Sequence, residues 1–266
     1  MRKRTEDKEL NGLLRELKLP AVQGHWAEVA GQAEREGWGF DRFLHCLAET
    51  ELEQRRQRRL EKAIRASRLP TDKTMASLDT KRLPAPVRRM LSALCEGDFV
   101  DRAENLLAFG LPGRGKTHLV CAIGHELLQR GYTVYFTPAY ALVQRLLAAK
   151  KALAIEKELH RLDAFAVLIC DDIGYIQQDR DEMEVLFTLL AERYERRSVV
   201  LTSNLVFSQW DRIFKDPMTT AAAIDRVVHH SVILELTGQS FRAEAAKARI
   251  QDMPVEAGKP EKSTTA

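Results

Sequence analysis

The sequence predicts an α/β fold: a five-stranded parallel sheet flanked by helices, preceded by a small all-helical N-terminal domain. Three observations predict it. From residue 105 onward, short apolar runs alternate with amphipathic stretches, the pattern of strand–helix–strand crossovers. The first run leads into Gly110-Leu111-Pro112-Gly113-Arg114-Gly115-Lys116-Thr117, which has the G-x-x-x-x-G-K-[ST] spacing of a phosphate-binding loop. Before residue 70, the apolar residues recur at helical spacing.

The helical part comes first. Leu10, Leu13, Leu14 and Leu17 share one face of a helix that Leu19-Pro20 ends. A second helix runs from about Gln23 to Glu36, with Trp26, Val29, Ala30 and Ala33 on one side, and Gly37 breaks it. A third starts near Phe40-Asp41 and continues to Ser67, with Leu69-Pro70 closing it. Residues 1–70 are read as the N-terminal domain, 71–252 as the nucleotide-binding domain and 253–266 as a disordered polar tail. Residues 70–104, leading into the second domain's first strand, are a connector with Pro70, Pro84 and Pro86 and a helical stretch from Val87 to Glu96.

In the second domain, Asn105 to Phe109 is the strand that enters the glycine loop, and His118 to Arg130 the helix that leaves it. Strands follow at 132–136, 166–170, 198–202 and 231–236. Helical sequence covers Ala139 to about Leu162, Glu182 to Arg196, Phe207 to Phe214, Thr219 to His229 and Phe241 to Ile250.

Composition bounds the function classes. The chain has 266 residues, 45% hydrophobic and 30% charged, as in a globular protein. No apolar run is long enough for a bilayer and the charged start shows no signal-peptide pattern, so no membrane partner is expected. Cys46, Cys95, Cys121 and Cys170 lack metal or disulfide spacing; free thiols suit a cytoplasmic location. Net charge is only +3, but Arg55, Arg56, Arg58, Arg59, Lys62 and Arg65 crowd one helix. They fit either contacts to nucleic-acid phosphates or a solvated face with Glu51–Arg55 and Glu61–Arg65 pairs. A second basic group comprises Arg145, Lys150, Lys151 and Lys157.

The chemistry of the loop follows from its residue types. Glycines let consecutive N–H groups turn inward on an anion, and the helix N-terminus behind them adds positive potential. Gly110, Leu111, Pro112, Gly113, Arg114, Gly115, Lys116, Thr117 and His118 are the candidate ATP-binding residues. Lys116 would reach the β- and γ-phosphates and Thr117 would hold Mg²⁺. The apolar strand ending at Cys170 delivers Asp171 and Asp172, a Walker-B arrangement, with Asp171 the metal residue and Asp172 polarising the attacking water. An extra strand separates the loop strand from this one, the order of motor-type ATPases rather than nucleotide kinases. Asn204, at the end of Thr202-Ser203-Asn204, is the candidate γ-phosphate sensor. Arg226 is the candidate arginine finger for a neighbouring subunit, and Arg242 a second sensor.

Together these motifs, with Leu17-Lys18-Leu19-Pro20, Glu36-Gly37-Trp38-Gly39-Phe40 and Arg65-Ala66-Ser67-Arg68, resemble the IstB-like ATPases over about residues 10–250. These are AAA+ helper proteins of bacterial insertion sequences, related to DnaC-type helicase loaders and the DnaA initiator. The resemblance implies an AAA+ P-loop fold and a protein that forms ATP-dependent homo-oligomers on double-stranded DNA. It also implies assistance to the transposase of the same insertion sequence in choosing target DNA. A replicative helicase loader is the alternative within the clade; a small-molecule P-loop kinase and a nucleotide-gated scaffold are alternatives outside it. The second Walker-B acid is Asp172 where many AAA+ proteins carry glutamate; loader-type relatives often carry Asp there, which implies weak, partner-stimulated hydrolysis rather than loss of activity.

Overall fold

The computed structural model describes residues 2–175, 180–205, 209, 217–237 and 240. The helices expected at 207–214 and 241–250, the candidate sensor Arg242 and the polar tail lie outside the described residues. The chain divides into two compact units, Met1–Arg65 and Ala66–Ala266.

The first unit comprises α1 (Arg2–Glu16), α2 (Pro20–Glu36) and most of α3 (Phe40–Ser67). Helix α2 begins at Pro20 rather than three residues later. Proline suits the first helical position, where its fixed φ is already helical and its missing N–H would have had no partner. Gly37, at φ 65°, ends α2 with its N–H on Ala33 O. Leu14, Val22 and Leu47 form a small buried core, joined by Trp26, Val29 and Phe43.

A polar clasp reinforces that core. The Glu51 carboxylate accepts from Ala21 N (2.8 Å) and Val22 N (3.3 Å), capping α2 against its positive end. Arg55 donates to Glu51 through Nε (2.8 Å) and to Lys18 O, just past α1, through Nη2 (2.7 Å). Burial of Glu51 opposes its ionisation, but Arg55 and the two α2 amides outweigh it and hold the carboxyl below its usual range.

The second unit is built on a parallel sheet of β1 (Asn105–Phe109), β2 (Val134–Pro138), β3 (Val167–Asp171), β4 (Ser198–Ser203) and β5 (Ser231–Glu235). The strand order is β2-β3-β4-β1-β5. Its helices are α4 (Ala85–Glu96), α5 (Asp98–Asp101), α6 (Lys116–Gln129), α7 (Ala139–Lys151), α8 (Ile155–Asp163), α9 (Arg180–Arg193) and α10 (Pro217–Val228). The helical sequence after β2 divides in two at Leu153, which takes a left-handed φ of 53°.

The apolar runs of β1, β3 and β4 are buried on both faces, as a parallel sheet requires. Leu107, Leu168, Cys170, Val199 and Leu201 pack with α7, α9 and Val227 of α10 on one face. On the other, Gly124 of α6 lies against Ile169. Buried Asn105 fastens the strand starts by donating to Val227 O (3.2 Å) and accepting from Val199 N (2.9 Å).

Arg193 does the same at greater scale. Its buried guanidinium donates to the carbonyls of Leu162, Phe165, Ala166 and Ser198 at 2.9–3.2 Å, tying α8 and the approaches to β3 and β4 together. Burial lowers its pKa to about 10, a range in which it remains a cation at neutral pH. The strand order has one functional consequence: β4 lies between β1 and β3, so its C-terminal end opens between the glycine loop and the paired aspartates.

Candidate nucleotide site

The site forms at the C-terminal ends of β1, β3 and β4, the usual ligand edge of an open parallel sheet. Gly110 leaves β1 at φ 153°, and its N–H bonds Ser203 O at 3.3 Å. A Cβ there would stand 2.5 Å from Leu236 O, so any other residue would force the loop off the end of β5. Gly115 takes φ 83° as the N-cap of α6, a left-handed turn that no side chain adopts cheaply. Arg114 turns aside to donate to Leu236 O (3.3 Å).

Lys116 Nζ donates back to Gly110 O (2.6 Å) and Leu111 O (3.2 Å), so it stands across the loop it anchors. Thr117 Oγ1 lies 2.9 and 3.0 Å from the two Asp171 oxygens. Thr202, on β4, completes the group: its Oγ1 donates to Asp171 Oδ1 (2.7 Å) and accepts from Asp172 N (2.8 Å). Motif spacing does not single out that hydroxyl. A threonine at a strand end carries no sequence signature, and only the pairing of β3 with β4 reveals its role.

Asp172 adopts φ 65°, a left-handed conformation costly for aspartate. The turn brings Asp172 to the wall of a cavity of about 280 Å³, which Lys116, Thr117 and Asn204 also line. Asn204 Oδ1 is buried without a hydrogen-bond partner among the described residues. Gly174 leaves room for it: a Cβ there would lie 2.1 Å from that oxygen. A desolvated, unspent acceptor beside the phosphate loop is expensive unless a ligand or water uses it.

His118 also lines the cavity, with Nε2 at 3.0 Å from Ser77 Oγ and 3.3 Å from Thr74 O. One α6 turn-pair further on, His125 Nε2 lies 3.0 Å from Pro70 O. The two histidines hold the connector segment 70–79 along α6, and Lys73, Leu78 and Asp79 from that segment form the facing wall of the cavity.

Arg226 is not among the lining residues. It lies on α10 with its guanidinium over the Phe187 ring of α9 (4.5 Å to the centroid), and its buried Nη1 has no partner among the described residues. The donor set of Thr117 and Asp171 is all oxygen, which suits a hard divalent cation such as Mg²⁺.

Local partners claim part of the basic residues. Arg55 is committed to the clasp, Arg56 and Arg65 pair with Glu53 and Glu61, and Arg58 donates to Gln54. In the second group, Arg145 is paired with Glu158 and donates to Tyr135 Oη, while Lys150 bridges Asp181 and Glu184. Among the described helices none is long and apolar enough to cross a membrane.

Residues 12–249 match the model of the IstB-like ATP binding protein family. The chain is 41% identical to a putative insertion sequence ATP-binding protein of Sinorhizobium fredii, over 91% of this chain and 81% of that one. It is 37% identical to the putative ATP-binding protein of insertion sequence IS5376 from Geobacillus stearothermophilus, over 85% and 90% respectively. The replication initiator DnaA bound to AMPPCP and single-stranded DNA shares the fold with a TM-score of 0.55 at 18% identity, over 70% of this chain and 56% of that one. With an AAA+ P-loop fold and these relatives, the chain belongs to the IstB-like ATP-binding protein family of insertion sequences.

Proposed function

We propose that this protein is an ATP-dependent DNA-binding ATPase that assembles on duplex DNA in its ATP state and helps the transposase of its own insertion sequence select target DNA. The observation that carries the hydrolytic part is the convergence of Lys116, Thr117, Asp172 and Asn204 on one cavity, with Asp171 hydrogen-bonded to Thr117. A binding-only site has no need of the second acid or of a buried acceptor at the loop.

In this reading Lys116 releases its two loop carbonyls to meet the β- and γ-phosphates. Thr117 and Asp171 hold Mg²⁺, which supplies charge neutralisation when bound. Asp172 orients water for in-line attack and Asn204 Oδ1 accepts from it or from its network. Arg226 has an unspent guanidinium nitrogen, and a neighbouring subunit's γ-phosphate is the partner that would draw it off Phe187. The insertion-sequence relatives support a transposase partner, and the DNA-bound initiator supports nucleic acid as a ligand of this fold. Arg59 and Lys62, for which no ion pair is found among the described residues, are the α3 cations freest to meet DNA phosphates.

Steady-state phosphate release, with and without duplex DNA, tests the reading through Asp172→Asn. That variant keeps ATP binding and loses at least about 100-fold in DNA-stimulated turnover, the scale of a lost general base. Turnover equal to wild type would remove Asp172 from the mechanism.

A further inference from the structure

A second cluster of ligating side chains lies at the opposite end of the sheet from the nucleotide site. Among the described residues, Glu195, His229 and His230 bring a carboxylate oxygen and two ring nitrogens within 4.8 Å of one another. Glu195 follows α9; the two histidines form the turn between α10 and β5. His230 Nε2 lies 3.2 Å from Glu195 Oε1, and the imidazole rings meet edge to face with centroids 4.3 Å apart.

We infer that these three side chains form a binding site for a divalent transition metal of the Zn²⁺ class. Ligand atoms about 2.0–2.1 Å from a tetrahedral zinc stand about 3.4 Å apart. The His230–Glu195 separation already matches, and side-chain rotation alone would close the third contact because all three residues are exposed. Imidazole and carboxylate select zinc, nickel or copper over magnesium, so this site would not compete for the cation of the phosphate loop. With three protein ligands the fourth position would be left to water.

Two neighbours favour the arrangement. Tyr194 Oη lies 3.1 Å from His229 Nδ1, so it can fix that ring and leave Nε2 for the metal, the orienting contact that ligating histidines usually have. Glu104 forms a two-point ion pair with Arg102 at 2.9 Å, and its carboxylate also interacts electrostatically with His230, adding negative potential on that side. A bound metal would join the end of α9 to the end of α10, three residues beyond Arg226. It would thereby limit how far α10 can move.

The test is calorimetric titration of the untagged, full-length chain with Zn²⁺ after chelator treatment. The site predicts one ion per chain with a dissociation constant below about 10 µM. His229→Gln and His230→Gln each weaken it at least about tenfold, and Tyr194→Phe weakens it about tenfold. Because the two histidines are exposed and Tyr194→Phe removes only a hydroxyl from a half-buried ring, unchanged circular dichroism is expected throughout. Loading with Co²⁺ separates this site from the cysteines: nitrogen and oxygen ligands produce weak visible bands without intense thiolate absorption. No binding in that range, binding that survives both histidine substitutions, or a thiolate band would overturn the inference.

Discussion

Replacing Thr202 with valine keeps the shape of a fully buried side chain and removes one hydroxyl. That hydroxyl donates to a carboxylate at 2.7 Å and accepts a backbone N–H at 2.8 Å. The charged bond is worth about 1.5–3 kcal/mol and the neutral one about 1 kcal/mol, so the loss is about 2.5–4 kcal/mol. Thr117 still bonds Asp171, so the carboxylate is not left bare. In a unit of this size each kcal/mol moves Tm by about 2–4 °C, which gives a fall of about 5–15 °C by scanning fluorimetry. Because the same hydroxyl holds the left-handed turn at Asp172, ATP turnover should fall by more than ATP affinity. A Tm within about 1 °C of wild type, with turnover unchanged, would refute the claim that Thr202 organises both aspartates.

Two further outcomes follow from the structure. The Glu51 carboxyl is depressed in the folded state, so its contribution is complete above the unfolded pKa of about 4.3 and is lost as pH falls through the lower folded value. Glu51→Gln should therefore cost about 1.5–3 kcal/mol at pH 7, and the difference from wild type should vanish in acid unfolding curves. Burial pushes the thiols of Cys95, Cys121 and Cys170 up to about 11, 12 and 12, while Cys46 is half-exposed. A thiol reagent at pH 8 should thus label the native chain rapidly at Cys46 alone, and mass mapping reads this directly.

How much of this was legible beforehand depends on whether a feature is local. The glycine loop and its aspartates announce themselves because phosphate chemistry needs fixed residues at fixed spacing, and the strands around them are continuous apolar runs. The Glu51–Arg55 pair was readable as a helical i,i+4 contact. Its attachment to α2 and to Lys18 was not, since those partners lie 29 to 37 residues away in sequence. Arg193 lies inside the helix expected at 182–196 and belongs to no motif, yet it is buried among four carbonyls that only the folded chain assembles. Leu19-Pro20 reads as a helix stop, and α1 does end before it, but the same proline is also the first residue of α2, which a stop signal alone does not reveal. The charge run leaves open whether its residues meet phosphates or neighbours, and the structure spends Arg55, Arg145 and Lys150 on neighbours.

The measurement that bears most directly on the account is sedimentation velocity on a duplex of about 50–60 base pairs, long enough for several helical turns, at two salt concentrations. A large, salt-sensitive protein–DNA assembly is expected with ATP and not with ADP, abolished by Lys116→Ala and by Arg226→Ala. A protein that stays monomeric and off the DNA in every nucleotide state would contradict it.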